Sequence, residues 1–428
     1  MKLLIKNGQV IDPVSQSIQP WDILVEGGRV SLLEEGIRQI ADRVIDAQGL
    51  MVAPGLVDMH VHLRDPGLTY KEDVVTGCAA AARGGVTAMA CMANTDPVVD
   101  KPELVSYVKD RAAAACGVHV YPIAALSRGL KGEELTDAEA LKEAGAVALS
   151  DDGSNVDSAE LMRNAMIKAR GAELPVLCHC EITDMVENRA VNEGSVSRQL
   201  WLEGRPAIAE ELAVMREIML AEETGCAVHI CHVSTAKAVD IIRNMKKRGI
   251  RVTCETCPQY FTMTEDEILR QGALARINPP LRTGKDLRGI ISGLRDGTID
   301  AIATDHAPHS AQEKARPLAK APSGMIGLET SLALALTVLY HPGKMELPEI
   351  ICLMSTNPAS ILRVPGGRIS IGSEADIVLF DPDEEWVVNP EQFASKARNT
   401  PCAGWTLKGK VKYTVVGGNV IYEDGVKS

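Results

Sequence analysis

The sequence predicts an α/β fold, a (β/α)₈ barrel carrying a small composite β domain formed from both chain ends. Three observations predict it. Between residues 55 and 364, short apolar runs alternate with amphipathic helical stretches. Eight such runs can be counted, the number a closed parallel barrel needs. The segments on either side, 1–54 and 365–428, are instead short strands broken by turn signals.

Taken in order, residues 1–54 hold LLIKNGQVID, DILVEGGRVSLL and RVIDAQGLMVAPG, with Asn7-Gly8 and Gly27-Gly28 placed as hairpin turns. The barrel strands are VDMHVHL (57–63), VTAMACM (86–92), VHVYPIA (118–124), AVALS (146–150), LPVLCHC (174–180), AVHICHV (227–233), IRVTCET (250–256) and IDAIATD (299–305). Helical segments such as ELVSYVKDRAAAA and AVDIIRNMKKRG lie between them, the second ending at Gly249 as a C-terminal cap would. GRISIGSEADIVLFDP and KYTVVGGNVIYEDG return to the strand style of the N-terminus.

Aromatic residues are only 3% of the 428, so the core must rest on Val, Ile, Leu, Ala and Met. A formal net charge of −12 argues against nucleic acid or an anionic membrane as partner. An anionic substrate would need a few local cations to overcome that field. The longest apolar run, around Ser331–Tyr340, suits a buried helix and not a membrane span, and the N-terminus lacks a signal-peptide pattern. Eleven cysteines without a framework spacing point to reduced thiols and a cytoplasmic protein, with Cys254 and Cys257 structural.

Metal-ligand residue types gather at or just past the strand ends: His60 and His62 on the first, Asp152 after the fourth, His179 on the fifth, His232 on the sixth and Asp305 on the eighth. The C-terminal mouth is where barrel active sites form. A period of two puts His60 and His62 on one face. Four imidazoles and two carboxylates suit Zn²⁺ or a similar divalent ion, and two ions if one carboxylate bridges. By the same parity, Cys178, Cys180 and Cys231 are expected to face the helices, and His229 to lie off the metal face.

DMHVHLRDPG (58–67) resembles the first motif of dihydroorotases, and ATDHAPHSAQEK (303–314) their second; SDDGSNV (150–156) and HCE (179–181) fit the same family. The likeness runs along essentially the whole chain, to the long bacterial branch within the amidohydrolase superfamily. It implies one or two zinc ions, with His60, His62 and Asp305 on one, His179 and His232 on the other, and Asp152, rather than Asp151, bridging. It further implies that Arg64, Asn94 and His309 grip a substrate carboxylate, with His62 also at the substrate, and that Asn278 and the backbone near Ser323–Gly324 meet ring amide groups. Bland alternatives stand beside these: an Arg64 ion pair with Asp65 or Glu72, and turn-shaping by Asn94 and Asn278. Two departures from the family pattern are the lack of a fourth-strand Lys to bridge the metals and Pro258-Gln259-Tyr260 where relatives often have Pro-His-His.

The implied reaction is the reversible closure of N-carbamoyl-L-aspartate to L-dihydroorotate in pyrimidine biosynthesis. A metal lowers the pKa of water to about 7, and Asp305 shuttles the proton as general acid and base. The rivals are a sister cyclic amidohydrolase, such as a hydantoinase or allantoinase, and a scaffold partner of aspartate transcarbamoylase. The family implies a homodimer and leaves docking on aspartate transcarbamoylase open. Ser310–Gly324, with Lys314, Arg316 and Lys320, is long for a βα connection and is expected to close as a basic lid.

Overall fold

Eight parallel strands stand side by side in chain order: Leu56–Val61, Val86–Cys91, His119–Ala124, Ala148–Leu149, Val176–Cys178, Val228–Ile230, Val252–Thr256 and Ala301–Ile302. Each falls within or overlaps one of the eight apolar runs. The computed structural model describes residues 2–115 and 117–426. A parallel bridge from Val61 to His306, with the His62 N–H bonded to the His306 carbonyl at 2.9 Å, joins the last strand to the first and closes the cylinder.

Strand alternation sorts the two faces. Met89, Cys91, Val176, Cys178, Val228 and Ile230 point outward into the core shared with the helices. Met59, Ala90, Ile123, Ala148, Leu177 and Ala301 fill the narrow interior. The helix Ala236–Lys247 starts on Thr235, whose hydroxyl accepts the Ala238 N–H, and is followed by Gly249 at φ 86°. Ser331–Tyr340 is helical and largely buried, and no helix among the described residues is long and apolar enough to cross a membrane.

Two further sheets form the small β region. Four strands come from the N-terminus alone: Arg29–Glu34, Asp22–Glu26, Lys2–Lys6 and Arg43–Asp46. Six more mix both ends in the order Asn419–Glu423, Thr406–Val416, Ile377–Val387, Met51–Pro54, Gln9–Asp12 and Ser17–Gln19. Leu3, Ile5 and Ile23 share one core with Ile377, Leu379 and Val415, so neither end has a complete core without the other. Gly27-Gly28 does turn a hairpin. Asn7-Gly8 does not: it carries the chain from one sheet to the other, because Lys2–Lys6 pairs with Asp22–Glu26 while Gln9–Asp12 pairs with Ser17–Gln19. A Cβ on Gly8 would lie 2.5 Å from Val52 Cγ2, which is why glycine occupies this corner.

Between Val387 and Thr406 the chain leaves the six-stranded sheet. Its base is closed by Val388 N–H to the Trp405 carbonyl (2.9 Å) and Gly404 N–H to the Val388 carbonyl (2.8 Å). Ser395, Ala397, Asn399, Thr400 and Cys402 of this excursion are buried against the barrel.

Candidate active site

Local backbone geometry aims the donors. A register shift between Asp58 and Val61 places Met59 and His60 opposite the single residue Ala90, a bulge that turns His60 inward. Asp58 anchors it, accepting the Thr304 N–H at 3.1 Å and the Thr304 hydroxyl at 2.6 Å. Arg64, His232 and Asp305 follow their strands with φ of 59°, 35° and 49°. Left-handed conformations at three non-glycine residues of one site cost about 1–3 kcal/mol each and mark a site held in shape by its surroundings.

That kink overturns one expectation. His232 lies past the end of its strand, so strand parity does not govern it. Cys231 faces the barrel interior instead of the helices, beside His60 and Asp152, while His229, with Nε2 3.3 Å from Glu255 Oε2, joins none of the donor groups among the described residues, in line with its expected place off the metal face. Cys178 and Cys180 do face the helices, and Cys254 and Cys257 are buried thiols.

All six expected donors converge. His60, His62 and Asp305 form one group, and Asp152, His179 and His232 a second. Asp305 Oδ1 lies 3.0 Å from His62 Nε2 and 3.6 Å from His60 Nε2. Asp152 Oδ1 lies 3.5 Å from His60 Nε2, 3.6 Å from His179 Nδ1 and 3.3 Å from His232 Nε2, while its Oδ2 is 3.5 Å from His62 Nε2. Asp152 thus sits between the two groups. His179 Nδ1 and His232 Nε2 approach to 2.9 Å. Ligands of one tetrahedral zinc, at bonds of about 2.0 Å, stand roughly 3.3 Å apart, so the donor spacing fits one ion in each group. The buried His60 Nε2 has no hydrogen-bond partner, as expected of a ring nitrogen kept for a metal.

The outer ring nitrogens of His60, His62 and His179 are tied. His60 Nδ1 meets Glu255 Oε1 at 2.7 Å and His62 Nδ1 meets Asn94 Oδ1 at 2.8 Å. The Asn278 amide donates to His179 Nε2 at 3.3 Å and is itself bonded by Arg205. The contacts to Glu255 and Asn94 fix the tautomer that leaves the inner nitrogens of His60 and His62 free for a metal; at His179 the acceptor that can do so is Glu181, with Oε2 3.5 Å from Nε2. Asn94 and Asn278 thus hold two of the clustered histidines, contacts sequence reasoning missed along with Glu255, Glu181 and Arg205. Only the HCE motif hinted at Glu181, whose carboxylate accepts from Arg205 at 2.9 Å. Burial alone would raise the Asp152 carboxyl, yet the His60 charge and bonds from His179 and His232 hold it well below the usual carboxylate range. Burial works against charge on His179 too, but Asp152 and Glu181 bring it up to about 9. The same field favours a divalent cation among these rings.

Beside the donors lies a cavity of about 300 Å³. His62, Arg64, Asn94, Asn278, His309, Ser323 and Gly324 all line it with the metal donors; only His60 is hidden below. Arg64 pairs with neither Asp65 nor Glu72. Asp65 binds Arg111 and Tyr107, Glu72 binds His306 and Ser395, and among the described residues no carboxylate forms an ion pair with Arg64. Its Nε donates to the Pro308 carbonyl at 3.2 Å. Burial, then the Arg64 charge, push His309 down to about 3, so its ring is neutral; Nε2–H donates to the Ser323 carbonyl at 2.8 Å. Gly324 spends its N–H on the Arg276 carbonyl, so its contribution to the wall is shape: a Cβ there would lie 2.7 Å from Ala307 Cβ.

Of the three cations expected on the 310–324 segment, Arg316 and Lys320 are exposed and Lys314 is not. Lys314 is buried, with its ammonium bonded to the carbonyls of Arg276, Pro322 and Gly324 at 3.2, 3.1 and 2.9 Å. It staples the segment down and adds no exposed positive charge. Gln259 and Tyr260, the departure after the seventh strand, bond the carbonyls of Thr304 and Pro279 and hold no donor position. Asp151 caps the chain at Leu126 and Ser127, so of the two neighbours only Asp152 stands among the clustered histidines.

A protein of Acetivibrio thermocellus named dihydroorotase is 47% identical to this chain over 424 residues, covering 99% of this chain and all of the relative. The chain belongs to the dihydroorotase family. A second dihydroorotase, from Geobacter sp. (strain M21), is 48% identical over 427 residues, again 99% of this chain and all of the relative. The family model described as Dihydro-orotase-like matches residues 49–238. Among solved structures, an L-hydantoinase (dihydropyrimidinase) from Arthrobacter aurescens superposes with a TM-score of 0.89 at 26% identity, over all of this chain and 97% of its own. A dihydropyrimidinase from Brevibacillus agri NCHU1002, at 24% identity and TM-score 0.86 over 99% and 95% of the two chains, shows the same fold. The dihydroorotase motifs thus lie on a barrel shared with other cyclic amidases.

Proposed function

We propose that this chain catalyses the reversible cyclisation of N-carbamoyl-L-aspartate to L-dihydroorotate, releasing water, with one or two divalent ions, zinc foremost. The observation that carries the reading is Arg64. It is a buried guanidinium in the cavity beside the six converging donors, and among the described residues no carboxylate forms an ion pair with it. In a chain of net charge −12, a cation kept free in this way suits a carboxylate brought by the substrate.

When bound, the ions supply an acidified water and draw electron density from the ring carbonyl. Asp305 accepts the water's proton in ring opening and passes it to the departing amide nitrogen. In ring closure it takes the proton from the ureido nitrogen as that atom bonds to the side-chain carboxyl carbon, and returns it to the carboxyl oxygen whose C–O bond breaks and which leaves as water. Arg64 holds the spectator carboxylate with its paired N–H groups, His309 and the Asn94 amide flank it, and Asn278 and the Ser323–Gly324 wall face the ring. Fixing both ends of the substrate converts an encounter into an aligned intramolecular step.

The hydantoinase fold neighbours favour a second reading, a sister cyclic amidase. Hydantoin carries no carboxylate and would leave Arg64 idle. A pure scaffold for aspartate transcarbamoylase has no use for six converging donors. A homodimer, docking on aspartate transcarbamoylase and a cytoplasmic location remain proposals drawn from the resemblance, the last supported by buried thiols such as Cys178 and Cys254. Turnover of L-dihydroorotate against hydantoin and allantoin, with metal analysis of the same sample, tests the reading. Preference for either of the other rings over L-dihydroorotate would replace it.

A further inference from the structure

The substrate wall is built from two pieces of chain, Ala307–His309 and Ser323–Gly324. The helical turn Ala311–Lys314 and the segment that follows it separate them. The two pieces touch directly, through the Ala307 N–H on the Met325 carbonyl at 2.8 Å and His309 Nε2–H on the Ser323 carbonyl at 2.8 Å. A residue from the other end of the molecule braces them from behind. Asn399 lies on the excursion that leaves the six-stranded sheet, is 3% exposed, and enters the gap behind the wall.

Its carboxamide is fully used. Nδ2–H donates to the carbonyls of Ala307 at 3.0 Å and Gly324 at 3.1 Å, while Oδ1 accepts the His309 N–H at 3.0 Å. The Asn399 carbonyl accepts the Ile326 N–H at 3.0 Å. One side chain thus bridges both pieces of the wall and fixes the backbone of His309. Only a side chain with a donor pair and an acceptor on one carbon can do this; Asp lacks the donors, and Gln is a carbon too long for the same place.

We propose that Asn399 is a positioning residue for substrate recognition. It sets the distance between His309 and the Ser323–Gly324 wall, and so the fit of the carboxylate-bearing end of the substrate, without touching substrate itself. The inference rests on the functional reading above. It also gives the composite β region a part in the reaction beyond stability: the loop it sends to the barrel mouth frames the site.

A double-mutant cycle tests it. kcat and KM for L-dihydroorotate are measured on the metal-loaded wild type, Asn399→Ala, His309→Ala and the double variant, with metal content and melting temperature alongside. Asn399→Ala is expected to raise KM by about tenfold or more with kcat within about threefold, because buried groups of the wall lose their partners. In the His309→Ala background the same change should add less than about threefold, since residues acting as one unit are non-additive. Full multiplication of the two effects, or an unchanged KM, overturns the assignment. If Asn399→Ala does not fold, Asn399→Asp takes its place: it keeps the shape and the acceptor for His309 N–H but faces two carbonyls with a carboxylate, and the same KM rise is expected. Wild-type enzyme that leaves L-dihydroorotate untouched overturns the functional reading and this assignment together; active wild type with an unaltered variant overturns the assignment alone.

Discussion

The two halves of the donor cluster are built differently. His60 and His62 come from one strand, two residues apart, and each has its outer nitrogen tied, to Glu255 and Asn94. His179 and His232 come from neighbouring strands. His179 is held by the Asn278–Arg205–Glu181 group near the surface of the cavity, and the buried His232 Nδ1 has no partner. His232 is aimed by its left-handed backbone instead. In the first half both outer imidazole nitrogens are tied by hydrogen bonds, in the second only that of His179, and Asp152 lies between the halves. The first half should therefore hold its ion more tightly.

The largest effect should come from breaking the first half at its carboxylate. Asp305→Asn removes the proton acceptor while keeping the shape, and turnover of L-dihydroorotate should fall at least about 10²-fold. Metal analysis of the same variant separates lost chemistry from lost metal; near-normal turnover with full metal would take Asp305 out of the mechanism. The comparison itself is put at risk by the outer-nitrogen partners. Glu255→Gln should weaken metal binding roughly 10- to 100-fold, the usual range for such partners. Asn278→Ala should weaken it less than about tenfold, because Glu181 Oε2 still stands 3.5 Å from His179 Nε2. Titration of each variant with a competing chelator reads both, and equal losses would abolish the distinction between the halves.

Arg64→Met leaves both halves alone and should weaken L-dihydroorotate by roughly tenfold to a hundredfold, matching a charge-assisted contact of about 1.5–3 kcal/mol, with metal content unchanged. The smallest effect on turnover is expected at Lys314. Lys314→Met removes one donor from each of three carbonyls and should free residues 310–324, seen as faster tryptic cleavage at Lys320 than in the wild type. Equal cleavage would mean that other contacts hold the segment.

How much of this was legible varied with distance along the chain. The eight strands and the six donors were readable because period-two alternation and a short motif are local signals. Glu255 was not, since a carboxylate inside IRVTCET gives no sign that it will stand beside His60. Cys231 was misplaced because parity fails where a strand ends in a kink. Asn7-Gly8 looked like a hairpin turn because a sheet change uses the same residues. Lys314 looked like surface charge, and only the fold shows three carbonyls closing around it. Asn399 had no signal at all, its partners lying some 75 to 92 positions away.

The shared core of the two chain ends has a consequence for synthesis. The apolar strand Met51–Pro54 leaves the ribosome early, yet its neighbour Ile377–Val387 follows more than 300 residues later. At about 5–20 residues per second the unpaired edge waits on the order of 15–60 s. During that time the nascent chain displays an open strand edge, a ready template for aggregation. Chains arrested before residue 377 should bind a holdase chaperone more strongly than full-length chains, and equal capture of the two would show that the early strands are sheltered by other means.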